Sequence, residues 1–155
     1  MSIYVFALLI GVIAGLRALT APAAVSWAAW LGWLPVQDGW AAFMGYRYTP
    51  YVFTLLAVVE VITDQFPSTP ARTVPQQFSA RIFSGALCGA VIGAAGGPWI
   101  GGLIAGVVGA VIGTLGGYQA RTRLVAATGG KDTPIAILED AIAIVGAYLI
   151  VRYAV

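Results

Sequence analysis

Residues 85–113 read GALCGAVIGAAGGPWIGGLIAGVVGAVIG and contain no charged side chain. A Gly-Gly-Pro turn at 96–98 divides this stretch into two apolar segments, which extend back to Ser79 and on to Gln119. A segment of about 20 apolar residues is long enough to cross a bilayer as a helix. The stretch therefore predicts two adjacent membrane-spanning helices joined by a tight turn.

The rest of the chain has the same character. Of its 155 residues, 60% are hydrophobic and 9% are charged, whereas about a quarter of the residues in a soluble domain are charged. The apolar segments leave no room for a separate soluble domain. We therefore predict an all-α integral membrane protein with a single transmembrane domain over 1–155, without extramembrane catalytic or nucleic-acid-binding modules.

Six apolar segments are separated by turn residues and prolines. They are 3–19, 21–34, 50–66, 79–96, 98–119 and 134–153. The first lacks the basic region and cleavage site of a signal peptide, so we interpret it as a retained span. The second is only 14 residues long and could be re-entrant. The sequence predicts a bundle of six transmembrane helices, with five as the alternative.

Basic residues orient this bundle, because Arg and Lys near span ends stay on the cytoplasmic side. In a six-span arrangement most of them fall at one end, which is therefore the cytoplasmic end: Arg17, Arg72, Arg81, Arg121, Arg123 and Lys131. Arg47 and Arg152 fall at the other end with most of the tryptophans. Aromatic rings favour the headgroup level, so two independent signals agree.

The two halves of the chain, 1–66 and 79–155, share weak similarities. Serine, phenylalanine, glycine and proline recur in the same order in the first span of each half, and a Thr-Pro pair recurs at 49–50 and 133–134. With three spans per half the repeat would be inverted, an architecture common in secondary transporters. Chance matching is the equal alternative, since glycine, alanine and proline are frequent here.

A stripe of glycines recurs at every fourth position. It comprises Gly85, Gly89, Gly93, Gly97 and Gly101. Small residues at this spacing let helix backbones approach closely in a membrane. We expect a helix-packing face, either inside the chain or as the seam of a homodimer, with Cys88 as a small packing residue.

Charged residues from separate segments are predicted to meet at one depth. At about 1.5 Å per residue, Glu60 and Glu139 each lie roughly 8 to 9 Å inside the cytoplasmic end of their helices. Asp64 lies one turn from Glu60, Asp140 adjoins Glu139, and Arg17 ends the first segment. Because a charge in hydrocarbon is costly, we predict that these five residues line a polar pocket open to the cytoplasm, with Arg17 as the partner of the carboxylates. The alternative is that they are interfacial anchors and interhelical ties.

The loop after the third segment offers further polar groups. Ser68, Thr69, Arg72 and, a little later, Arg81 could contact a phosphate or a lipid headgroup at the membrane surface. No phosphate-binding loop supports this prediction.

The residue inventory restricts the chemistry. Histidine is absent and Cys88 is the only cysteine, which argues against disulfides, zinc or haem sites and His-based catalysis. We therefore expect no cofactor, no metal site and no enzymatic activity, although paired carboxylates alone could hold Mg²⁺.

The run EVITDQFPSTPAR at 60–72, with Ser-Ala-Arg at 79–81, the following Ser-Gly-Ala-Leu, and Gly-Leu-Arg at 15–17, resembles a family of small bacterial membrane proteins, domain of unknown function 4126. The resemblance covers nearly the whole chain. It implies several membrane spans, in the bacterial cytoplasmic (inner) membrane, and no established activity.

Three functions remain open from the sequence. The first is a small transporter or channel for an ion or small charged solute, which uses the intramembrane carboxylates. The second is a protein that binds or translocates lipid, and the third is a membrane scaffold or assembly partner. Membrane lipids and a second copy of the chain are the expected partners, and nucleic acid is not.

Overall fold

The computed structural model describes residues 2–64 and 74–155. In this part of the chain there are six α-helices and one short 3₁₀ helix, and no strand. The α-helices are α1 (Ile3–Leu16), α2 (Thr20–Trp30), α3 (Thr49–Thr63), α4 (Pro75–Gly96), α5 (Trp99–Ala127) and α6 (Asp132–Tyr153). The 3₁₀ helix, Trp40–Gly45, lies between α2 and α3. The prediction of an all-α fold is confirmed.

Three of these helices are long and apolar enough to cross a membrane: α4 and α6 have 22 residues each and α5 has 29. α1 and α3 are shorter apolar helices of 14 and 15 residues. Large apolar side chains cover the outside of the bundle, such as Leu55, Ile104 and Ile144, which are all more than half exposed. Such a surface suits lipid and not water. The helices and this surface are those of a multi-pass membrane protein.

The centre of the bundle is a tight packing of α1, α4 and α5. Gly89 and Gly93 of α4 lie against Gly102 of α5, and Gly11 of α1 lies against Gly106 of α5. The helix backbones are in direct contact at these points, as small residues allow. Of the predicted stripe, Gly85, Gly89 and Gly93 thus face α5, whereas Gly97 and Gly101 face Tyr4 of α1. This face is used inside the chain.

The other helices surround this core and alternate in direction. α3 and α6 pack on either side of α2, and Trp27 of α2 donates a hydrogen bond to Thr54 of α3. Trp40 contacts Trp99 at one end of the bundle. We call this the aromatic end, and the opposite end, where Arg17 and Arg81 lie, the charged end. Arg47 and Arg152 lie at the aromatic end, as the alternation of spans predicts.

Several predicted helix limits were wrong, and each has a local cause. α1 ends at Leu16 instead of Leu19, because Arg17 adopts an extended backbone with φ −140° and ψ 113°. α4 begins at Pro75 instead of Ser79, since proline is well tolerated in a first helical turn. α5 continues eight residues beyond the predicted Gln119, where Arg121 is held by Asp132 of α6.

The helices of the two halves differ in length. α1, α2 and α3 have 14, 11 and 15 residues, whereas α4, α5 and α6 have 22, 29 and 22. α1 also packs closely along α5, while its would-be counterpart α4 meets α2 much less extensively. The fold therefore adds no support to the predicted inverted repeat.

Candidate functional site

The first apolar stretch of the chain is interrupted near the charged end. α1 ends at Leu16 and α2 begins at Thr20, so Arg17, Ala18 and Leu19 form a short non-helical break. At about 1.5 Å per residue the break lies roughly 21 Å along the bundle from the start of α1, inside a hydrocarbon layer of about 30 Å. In lipid, non-helical backbone is tolerated only where protein or water satisfies its polar groups.

Side chains from α4 satisfy the carbonyl groups beside the break. The Arg81 guanidinium donates hydrogen bonds to the carbonyl oxygens of Gly15 at 2.9 Å and Leu16 at 2.8 Å. The Ser84 hydroxyl donates to the carbonyl oxygen of Ala18. A cation at the C-terminus of α1 also complements the helix dipole. Arg81 is 3% exposed, so its role is inside the protein.

A carboxylate from α3 satisfies the amide groups of the same break. Glu60 accepts a hydrogen bond from the backbone N–H of Ala18 and another from that of Leu19, both at 2.8 Å. These amides stand at the N-terminus of α2, where negative charge is favoured. Glu60 and Arg81 are 4.0 Å apart, so the two caps also attract each other.

Arg17 is the centre of the charged end. Its side chain is 1% exposed and forms ion pairs with Asp64 at the end of α3 and with Asp140 of α6. One cation thus joins two helices that lie on either side of α2. A buried charge is tolerated only when it is paired in this way.

A second group of charges lies where α5 and α6 approach each other. Arg121 of α5 donates two hydrogen bonds to Asp132, at 3.0 and 2.8 Å, and a longer one of 3.5 Å to Glu139. Glu139 is buried, whereas Asp132 is exposed to solvent. We define the charged cluster by the buried or partly buried members of both groups: Arg17, Glu60, Asp64, Arg81, Arg121, Glu139 and Asp140.

The five residues predicted to share a site thus lie at one end of the bundle, but their pairing differs from the prediction. Glu60 binds the backbone of the break instead of Arg17, and Glu139 pairs with Arg121. They also line separate cavities. Glu60 and Asp64 line a cleft of about 470 Å³ between α3 and α4, and Glu139 lines a cavity of about 120 Å³ with Arg121.

The predicted headgroup contacts have different outcomes. Ser68, Thr69 and Arg72 lie outside the described residues. Arg81 was expected near the membrane surface, but its guanidinium is turned inward onto the carbonyls of α1. The expectation that it contacts a headgroup is therefore corrected, because the break offers it buried acceptors.

Sequence reasoning missed Ser84 and Arg121 as members of this region. Arg81 and Ser84 are one helical turn apart in an otherwise apolar segment, a spacing that places both on one face. That pattern was a usable signal for α4. The contact of Arg121 with Glu139 had none, because α5 was expected to end before Arg121.

A compact helical bundle with apolar outer faces, glycine-mediated packing and buried charges at one end defines a small multi-pass membrane protein. The chain belongs to the family described as Domain of unknown function (DUF4126), which matches residues 5–155. The predicted resemblance is confirmed. No curated protein and no solved structure matches the chain.

Proposed function

We propose that this protein is a small membrane transporter or channel for a monovalent cation, and that the charged cluster is its ion-binding site. The observation that carries the proposal is Arg17, fully buried between Asp64 of α3 and Asp140 of α6 beside the break between α1 and α2. The charged end faces the cytoplasm of a bacterial cell, and all six α-helices cross the membrane.

The free energy of the cluster supports a functional role. Each ionised side chain at membrane depth costs about 2.5 to 3.5 kcal/mol on insertion scales, and ionisable residues in spans commonly mark ion pathways. Packing alone gives no reason for seven such residues at one level. Apolar side chains of similar volume would hold these helices together at least as well.

The balance of charge favours a cation as the transported species. The cluster holds four carboxylates and three arginines, so it carries an excess of negative charge. Within residues 2–64 and 74–155 no three acidic side chains converge as a metal-binding group. A divalent ion needs many oxygen ligands, so a monovalent cation fits this arrangement better.

The interrupted helix supports transport in a second way. Discontinuous helices at membrane depth recur in transporters, where freed backbone groups and half-helix ends contact ions. Here the break is held by Glu60 and Arg81, which come from two other helices. The Nε–H of Arg17 has no acceptor among the described residues, and water or a bound group ordinarily satisfies such a buried donor.

Lipid binding or translocation is the second candidate, favoured by the cleft between α3 and α4. Its walls are largely apolar, with Phe53, Leu56 and Phe83 among them, and its inner part reaches Glu60 and Ser84. A molecule with an apolar tail and a polar head would suit such a cleft.

A flux assay with matched variants tests the proposal. Asp140→Asn removes one charge from the buried pair with Arg17, whereas Asp132→Asn removes the same charge from an exposed site on the same helix. We expect wild-type protein in liposomes to pass Na⁺, K⁺ or H⁺ above the rate of empty liposomes. Asp140→Asn should abolish this flux and Asp132→Asn should retain most of it.

Two outcomes of the flux assay would count against the proposal. One is wild-type flux at background for all three cations. The other is equal flux in the two variants, which would leave the buried pair a purely structural element. Binding of phospholipid in the α3–α4 cleft without any ion flux would instead favour the second candidate.

A further inference from the structure

A second feature lies away from the charged cluster, on the membrane-facing side of α2. α3 and α6 flank this short helix and leave over it a groove of about 560 Å³. Ala23 and Ala24 of α2 form its floor, and its walls include Ala57 and Val58 of α3 and Ala147 of α6. We call this the α2 groove. Its lining is almost wholly apolar, as expected of a site for a hydrocarbon chain.

The α2 groove acquires polar and aromatic groups at the aromatic end of the bundle. Trp33 and Tyr148 both line it, with their rings in an edge-to-face contact at 6.1 Å. The guanidinium of Arg152 lies 5.2 Å from the centre of the Trp33 ring. Arg152 is exposed and forms no salt bridge with any residue in 2–64 or 74–155. A cation open to an anion therefore stands at the mouth of the apolar groove.

We propose that the α2 groove binds an anionic phospholipid, with an acyl chain over Ala23 and Ala24 and the phosphate against Arg152. Tryptophan, tyrosine and arginine are the side chains that favour the headgroup level of a bilayer, so the two parts of the groove match the two parts of the lipid. The charge of Arg152 decides between occupants. An apolar helix of a second copy would cover the walls but would give Arg152 no anion.

This lipid site is independent of ion transport. The mouth of the α2 groove lies at the end of the bundle opposite the charged cluster, and none of Arg17, Asp64 and Asp140 lines it. The bound lipid would fill the space between α3 and α6, the two helices that Arg17 joins at the other end. It would therefore stabilise the bundle whether or not ions move.

Lipid binding to the purified full-length chain tests the proposal, with phosphatidylglycerol and phosphatidylcholine as probes in native mass spectrometry. We expect the wild-type protein to retain phosphatidylglycerol in preference to phosphatidylcholine. Arg152→Gln should weaken phosphatidylglycerol binding about fivefold, the share expected of one arginine near an anionic headgroup. Arg47→Gln is the matched control, because Arg47 is also exposed and lies over the ring of Tyr48, away from the groove.

A second pair of variants tests the acyl-chain part of the α2 groove. Ala57→Phe places a large ring in the groove and should lower the binding of both lipids, whereas Ala141→Phe on the exposed side of α6 should not. Equal phosphatidylglycerol binding by Arg152→Gln and Arg47→Gln would overturn the proposal. It would also be overturned if Ala57→Phe left lipid binding unchanged and converted a dimer to a monomer, since a second copy would then fill the groove.

Discussion

Replacement of Arg17 by glutamine is expected to lower the free energy of unfolding by about 3 to 5 kcal/mol, the usual cost of breaking a buried ion pair from one side. The variant leaves the carboxylates of Asp64 and Asp140 inside the bundle without their cation. Because both are mostly buried, little water can replace the guanidinium. Unfolding by sodium dodecyl sulfate in mixed micelles, followed by tryptophan fluorescence, would measure the loss.

The control and the rescue for Arg17→Gln separate charge pairing from packing. Arg123→Gln changes an exposed arginine and should leave stability almost unchanged. Adding Asp64→Asn and Asp140→Asn to Arg17→Gln removes the stranded charges, so the triple variant should recover most of the loss. Full stability of Arg17→Gln alone would show that water or lipid headgroups already solvate the two carboxylates.

Alanine at Gly106 is expected to destabilise the bundle by about 3 kcal/mol, at the upper end of typical overpacking costs. A Cβ atom there would overlap the carbonyl oxygen of Gly85 and lie 3.0 Å from the Cα of Gly89. These neighbours are backbone atoms of α4, so the new methyl group can be accommodated only if α4 and α5 move apart. The separation would also loosen α1, which packs against the same glycine through Gly11.

Gly116→Ala is the matched control on the same helix. A Cβ atom at Gly116 meets nothing within 4 Å, so this variant should gain up to about 1 kcal/mol from helix propensity. The same unfolding titration compares the two variants. Equal stability of Gly106→Ala and Gly116→Ala would contradict the close packing of α4 and α5.

The sequence allowed the class of protein to be predicted, and it placed the acidic residues at one end. Both predictions rest on one-dimensional signals: the length of apolar runs, and the number of residues between a charge and the end of its helix. Glu60 and Glu139 could be assigned a common depth in this way. The glycine periodicity of α4 likewise predicted a packing face.

The pairing of the charges could not be predicted, because it depends on how the helices are rotated and where they break. Arg17 was treated as the last residue of a helix, and its extended backbone has no strong sequence signal, since neither proline nor glycine occupies the break itself. Once the helix ends at Leu16, new backbone groups need partners, and these take Glu60 and Arg81 away from other pairings. Arg17 is then left to Asp64 and Asp140.

The thermal stability of the purified protein in a panel of cations tests most directly whether the charged cluster binds an ion. A ligand that binds only the folded state at 100 times its Kd stabilises it by about 2.7 kcal/mol, which for a chain of this size raises the Tm by roughly 5 °C or more. We predict such a rise for one of Na⁺, K⁺ and H⁺ in the wild-type protein, little change with Mg²⁺ or Ca²⁺, and no rise in Asp140→Asn. A Tm that responds to none of these cations, or that responds equally in Asp140→Asn, would contradict the account.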